Sequence, residues 1–154
     1  MYNAETIEKR RCFRQILKKV MIKYNFFEDG NLIIIKYPEL YNKSQVISFM
    51  DFVFNTLHKQ SIKKVLIDFR DCEPAFNISG IEDIKKIRLN SFSNVRTIFL
   101  VNNSRQTAFA TYFSRNIDSI SVCSTIEYAI RLLDLKMTTN VLEDSIKKLT
   151  FRFE

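Results

Sequence analysis

The chain of 154 residues has only two glycines, Gly30 and Gly80, and only two prolines, Pro38 and Pro74. A dinucleotide fingerprint or a phosphate-binding loop needs glycines clustered between strand and helix, so that backbone amides can reach phosphate. After "VLIDF" there is Gly80 alone, and after "TIFLV" comes "NNSRQ" with none. Both standard mononucleotide sites are therefore disfavoured. No GxSxG elbow and no HExxH occur. The one histidine, His58, falls on a predicted helix, where histidine near the C-terminal turn is common for dipole reasons. A histidine-containing triad or metal cluster would need His58 itself, and nothing near it in the sequence supports that role. Cys12, Cys72 and Cys123 are odd in number and form no CxxC pair, so they read as reduced thiols and not as a disulfide framework or zinc site. Tryptophan is absent. Long apolar runs are absent too, since "NLIII" and "TIFLV" are far too short to cross a bilayer. The start, "MYNAETIEKRRCFRQ", is charged where a signal peptide needs an apolar stretch. The expectation is a cytoplasmic protein with no transmembrane segment, no metal and no cofactor.

What is present suits one globular domain. Hydrophobic residues make up 46% and charged residues 27%, and fourteen phenylalanines give a bulky core. The net charge is +7, and most of the excess lies near the start. There Lys9, Arg10, Arg11, Arg14, Lys18, Lys19 and Lys23 face only Glu5 and Glu8. Ile7, Ile16, Leu17, Val20 and Met21 recur at helical spacing, which predicts an amphipathic helix over 3–23. Its basic face has three readings: a solvated surface, contact with an anionic membrane or nucleic acid, or docking of its apolar stripe. No RNA-binding motif or base-reading pattern accompanies it, so no specific nucleic acid is expected.

From residue 24 the pattern becomes regular. Two apolar runs flank Asp29-Gly30, a strong hairpin signal, and predict strands at 24–28 and 31–37, stopped by Pro38. A helix capped by Ser44 runs to His58, and "KKVLIDF" then reads as a strand with both faces covered. Further elements are a helix from Ser79 to Leu89, the strand "VRTIFLV", a helix from Ser104 to Arg115 and the strand "SISVC". A helix over 124–135 follows, with Ser124 and Glu127 at capping-box spacing. Such alternation predicts an α/β fold of about five strands with a parallel core and helices packed on the sheet. The division expected is a basic helix over 1–23, one domain over 24–135 and an extension over 136–154. The extension reads as a short helix and a loose tail.

The order hairpin, helix, strand, helix, strand, helix, strand, helix resembles the STAS family, especially its SpoIIAA-like (anti-sigma-factor antagonist) branch. The resemblance covers about residues 24 to 135. It rests on "FFEDGNLIIIKY", "KKVLIDFRD", "VRTIFLVNN" and "SISVCSTIEYAIRLL". In antagonists an Asp-Ser-Ser-Gly segment opens the helix after the central strand, and the serine before glycine is phosphorylated. Asn77-Ile78-Ser79-Gly80 stands at that place, matching at Ser79 and Gly80 but with Asn77 for Asp and Ile78 for the first serine. The resemblance implies a non-catalytic regulatory or protein-interaction domain with Ser79 as phosphoacceptor. Asp71, Asn77, Ser79 and Gly80 would form the partner-binding loop. Against this, Ser79 and Glu82 have the spacing of a plain capping box, with Glu82 and Asp83 complementing the helix dipole. The residues themselves favour the cap.

Other candidates are fewer. Asp68 ends an apolar strand, with Asp71 and Glu73 close by, a grouping that suits acid–base work or magnesium. Arg70 lies between them, and loop carboxylates are usually solvated or capping. Cys72 shares the loop without a nearby histidine to activate it. An enzyme is therefore not expected. The phenylalanine-rich helices leave a second reading open, a binder of a small apolar ligand or lipid, and a homo-oligomer also stays open.

Overall fold

The computed structural model describes residues 7–10, 21–53, 61–73, 78–92 and 94–153. The first strands, β1 (Ile22–Phe27) and β2 (Leu32–Lys36), form an antiparallel hairpin. Its turn, Glu28–Gly30, is left-handed throughout, with φ of 52° at Glu28, 56° at Asp29 and 85° at Gly30. Glycine adopts that region freely and aspartate tolerates it, whereas glutamate does so at a cost. Contacts made by the Glu28 side chain offset that cost: its carboxylate accepts from Lys64 Nζ at 3.1 Å and from the Lys136 amide at 3.4 Å.

Three βα units follow: α1 (Lys43–Asp51) and β3 (Lys64–Asp68), α2 (Ile78–Phe92) and β4 (Arg96–Leu100), then α3 (Ser104–Ser114) and β5 (Ile120–Cys123). The chain closes with α4 (Ile126–Leu133), α5 (Thr139–Lys147) and β6 (Phe151–Phe153). The sheet order is β5-β4-β3-β2-β1-β6, with β2 to β5 parallel and β1 antiparallel to both neighbours. Each crossover advances by one strand in the same direction. Right-handed connections then place α1, α2 and α3 on one face. Val46, Phe49, Met50, Ile81, Ile84, Ala110 and Phe113 accordingly pack on Ile33, Ile35 and Val65. The other face, Leu32, Ile34, Leu66, Ile98 and Leu100, is covered by Ile126, Ala129 and Leu133 of α4 and Leu142 and Ile146 of α5. This double coverage is why "LIII" of β2 is buried at every position.

The α/β class, the parallel core and the helices on the sheet are as expected. Several boundaries are not. The sheet has six strands, because residues 151–153 are a strand and not a loose tail. Ile22 and Lys23 belong to β1 and not to the helix predicted over 3–23; residues 7–10 of that stretch are helical, and 3–6 and 11–20 lie outside the described residues. Asn42, and not Ser44, caps α1: its side chain accepts from the Gln45 amide while Gln45 answers to the Asn42 amide. Thr125, and not Ser124, caps α4. At the other end of α4, Lys64 donates to the Asp134 carbonyl at 3.0 Å and Arg96 to the Leu132 carbonyl at 3.1 Å, cations placed where the helix dipole favours them. His58 and Cys12 lie outside the described residues.

Candidate functional site

Open α/β sheets bind ligands outside the carboxyl ends of their strands, where a reversal of strand order opens a crevice. Here β2 to β5 succeed one another without reversal. Their carboxyl ends instead carry a set of charged and amide side chains bonded to one another.

Asp68, the last residue of β3, has 1% of its surface exposed. Arg70 turns back on it as a fork, with Nε 2.9 Å from Oδ1 and Nη2 3.2 Å from Oδ2, and the Arg70 amide adds a bond of 3.1 Å. The same guanidinium reaches Glu143 of α5 at 3.3 Å. Burial pulls the Arg70 pKa down, but its bonds to Asp68 and then Glu143 outweigh this and raise it overall. Lys36, at the end of β2, lies 2.7 Å from Asp71 and 3.9 Å from Asp68. Gln106 of α3 is buried and ties the loop down: Nε2 donates to the carbonyls of Arg70 (2.9 Å) and Cys72 (3.0 Å), and Oε1 accepts from the Asn102 amide at 2.9 Å.

The expected carboxylate grouping is thus dispersed into ion pairs. Asp68 and Asp71 each meet a cation, and Glu73 is exposed, its backbone amide bonded to the Glu39 carbonyl at 3.0 Å. No group of three or more His, Cys, Asp or Glu side chains fit to hold a metal occurs among the described residues. Cys72 is buried and its thiol donates to the Tyr37 carbonyl at 3.3 Å; burial, and then the charges of Asp68 and Asp71, push its pKa upward. A group so placed is a poor nucleophile.

Of the expected partner loop, Asp71 is exposed and paired with Lys36, Gly80 is buried in the first turn of α2, and Asn77 lies outside the described residues. Since α2 begins at Ile78, the backbone of Ser79 is already helical, so Ser79 is not the residue that caps α2. Glu82 and Asp83 are past the first turn, where they meet lysines. Asp83 accepts from Lys43 at 2.9 Å, a bond and charge that lower its pKa, and Glu82 lies 3.9 Å from Lys85. Of the basic face, Lys9 and Arg10 are exposed on the helical stretch 7–10 and Lys23 sits in β1, while Arg11, Arg14, Lys18 and Lys19 fall outside the described residues. Lys23 therefore does not share a helical face with the others.

A cavity of about 60 Å³ lies between α1, α3 and the sheet. Its walls include Tyr37, Tyr41, Phe49, Phe69, Phe99 and Phe109. Phe69 is central, stacked on Phe109 at 5.4 Å and edge-on to Tyr37 at 5.7 Å.

Reading the sequence missed Lys36, Gln106 and Glu143. Lys36 sat inside a strand, Gln106 inside a helix and Glu143 in the ambiguous extension, so nothing local linked them to Asp68. No helix among the described residues is long and apolar enough to cross a membrane. No protein-family model matches the chain, and no curated protein matches it.

Proposed function

We propose that the chain is a non-catalytic STAS-like regulatory or interaction domain, with α2 and the loop before it as the partner surface and Ser79 as the phosphoacceptor. The observation that carries the non-catalytic part is the pairing at the strand ends. A reacting carboxylate must be open to substrate and carry a pKa suited to proton transfer. Asp68 is instead buried beneath the Arg70 fork, and Asp71 is spent on Lys36. The regulatory part rests on the resemblance of the hairpin and the βα units to the STAS pattern. A phosphate on Ser79 would stand near Glu82 and Asp83, so its added charge would reshape the surface that a partner meets.

Intact-mass spectrometry of protein taken from its own host tests this reading. One added phosphate, lost in Ser79→Ala, is the result expected. Wild-type protein that stays unmodified under all growth conditions of that host removes the switch.

The aromatic cavity favours a second reading, capture of a small apolar ligand. An apolar cavity of about 150 Å³ admits benzene. The guest here would be more compact, or α1 and α3 would part to admit a longer one. Native mass spectrometry that retains non-covalent ligands distinguishes the two readings in the same experiment.

A further inference from the structure

Strand β6 is an imperfect match for the edge that it covers. β1 has six residues, and β6 is in register with three of them: Phe153 with Ile22, Arg152 with Lys23 and Phe151 with Tyr24. The two aromatic residues point to one face. Phe153 packs against Phe49 at 5.3 Å and Phe52 at 5.2 Å, and Phe151 lies over Tyr24 at 5.6 Å while 55% exposed. The middle residue points to the other face, where Arg152 stands opposite Lys23 and Lys23 stands opposite Lys36. Three cations therefore share one row at the usual strand spacing of about 4.8 Å. Lys36 is neutralised by Asp71. Among the described residues, neither Lys23 nor Arg152 has a carboxylate within ion-pair distance. Like charges directly opposite each other weaken an antiparallel pair, and unlike charges strengthen it.

We propose that the β1 edge is a strand-addition site for an extended protein segment reading aromatic–acidic–aromatic, and that β6 fills it in cis as a displaceable stand-in. The aromatic pair gives β6 its seat on Tyr24, Phe49 and Phe52. The charge at its centre is the wrong one for Lys23. A partner segment with Asp or Glu at that place keeps both aromatic contacts, replaces a repulsion by an attraction, and can pair along more of β1 than β6 does. Main-chain bonds would give such a complex its affinity and the alternate side chains its selectivity. This surface is separate from Ser79 and α2, so it stands whether or not the phosphorylation switch does.

The test uses the full chain and two synthetic peptides of about nine residues, identical except for a central Phe-Glu-Phe or Phe-Arg-Phe, a length that spans β1 at about 3.4 Å per residue. Fluorescence anisotropy should show the acidic peptide binding about tenfold tighter than the basic one. Lys23→Glu should reverse the preference. Arg152→Glu gives the resident strand the favoured charge, so it should slow amide exchange in β6 and weaken the acidic peptide about tenfold. Circular dichroism confirms that both variants fold, since Lys23 and Arg152 lie outside the two cores. Binding without charge preference, or no binding by either peptide at millimolar concentration, overturns the proposal. A concentration-dependent dimer with exchanged β6 strands also overturns it, because the edge then belongs to a second copy.

Discussion

Asp68 is buried at the end of β3, and the cation that meets it, Arg70, comes from the loop that follows. Two residues apart at a strand end, it folds back and becomes the partner of Asp68. Removing one member of a buried pair leaves the other charge without compensation, which costs roughly 3–5 kcal/mol. Arg70→Met should therefore destabilise the fold by about 3 kcal/mol, since Lys36 at 3.9 Å remains to compensate Asp68 in part. Glu143→Gln should cost under about 1 kcal/mol, because that contact is longer and a third of the Glu143 side chain is exposed. Urea unfolding of both variants decides the matter. Equal losses would show that the three groups act as one network and not as a buried pair with an outer neighbour. Lys36, Gln106 and Glu143 escaped notice because their link to Asp68 exists only once β2, α3 and α5 have assembled around β3.

At the scale of elements, the hairpin and the three βα units were legible because their periodicities are strong and their breakers well placed. "LIII" and "KVLI" are too short and too rich in β-branched residues for helices. Caps were less legible, since a run of hydrogen-bonding residues offers several starts. Asn42-Lys43-Ser44 and Ser124-Thr125 each place rival caps within two residues, and the choice falls to the register that buries Val46, Phe49 and Met50, or Ile126, Ala129 and Leu133. β6 was missed for a different reason. Three residues carry no measurable periodicity, and "FRF" becomes a strand only because β1 offers it an edge and Phe49 and Phe52 offer it a seat. The cap assignment has a direct check. Asn42→Ala should lower stability by about 1 kcal/mol, whereas Ser44→Ala, at an exposed position inside the helix, should stay within about 0.5 kcal/mol of wild type. The reverse ranking would return the cap to Ser44.

The whole molecule is a sheet with an aliphatic core on one face and an aromatic core on the other. That asymmetry has a consequence at high pH. The aromatic side contains Tyr37, Tyr41 and Cys72, all buried. Burial raises each pKa, and mutual charge raises them further: Cys72 acts on both tyrosines, Tyr37 on Tyr41, and Asp68 and Asp71 on Cys72. In each case the folded value lies above the unfolded one. The stabilisation is therefore fully present below the unfolded pKa, near 9 for the thiol and 10 for the phenols, and is lost as pH rises past it. Each group steepens the loss by about 1.4 kcal/mol per pH unit once its unfolded form has ionised. Denaturant unfolding between about pH 9 and 11 should show stability falling progressively more steeply, and Tyr37→Phe should flatten the fall by one group's share. Phenolate absorbance adds a second readout, since Tyr37 and Tyr41 should ionise only as the chain unfolds. A slope unchanged by Tyr37→Phe would mean that ionisation of the buried phenol does not carry the alkaline loss and would overturn this account of the aromatic core.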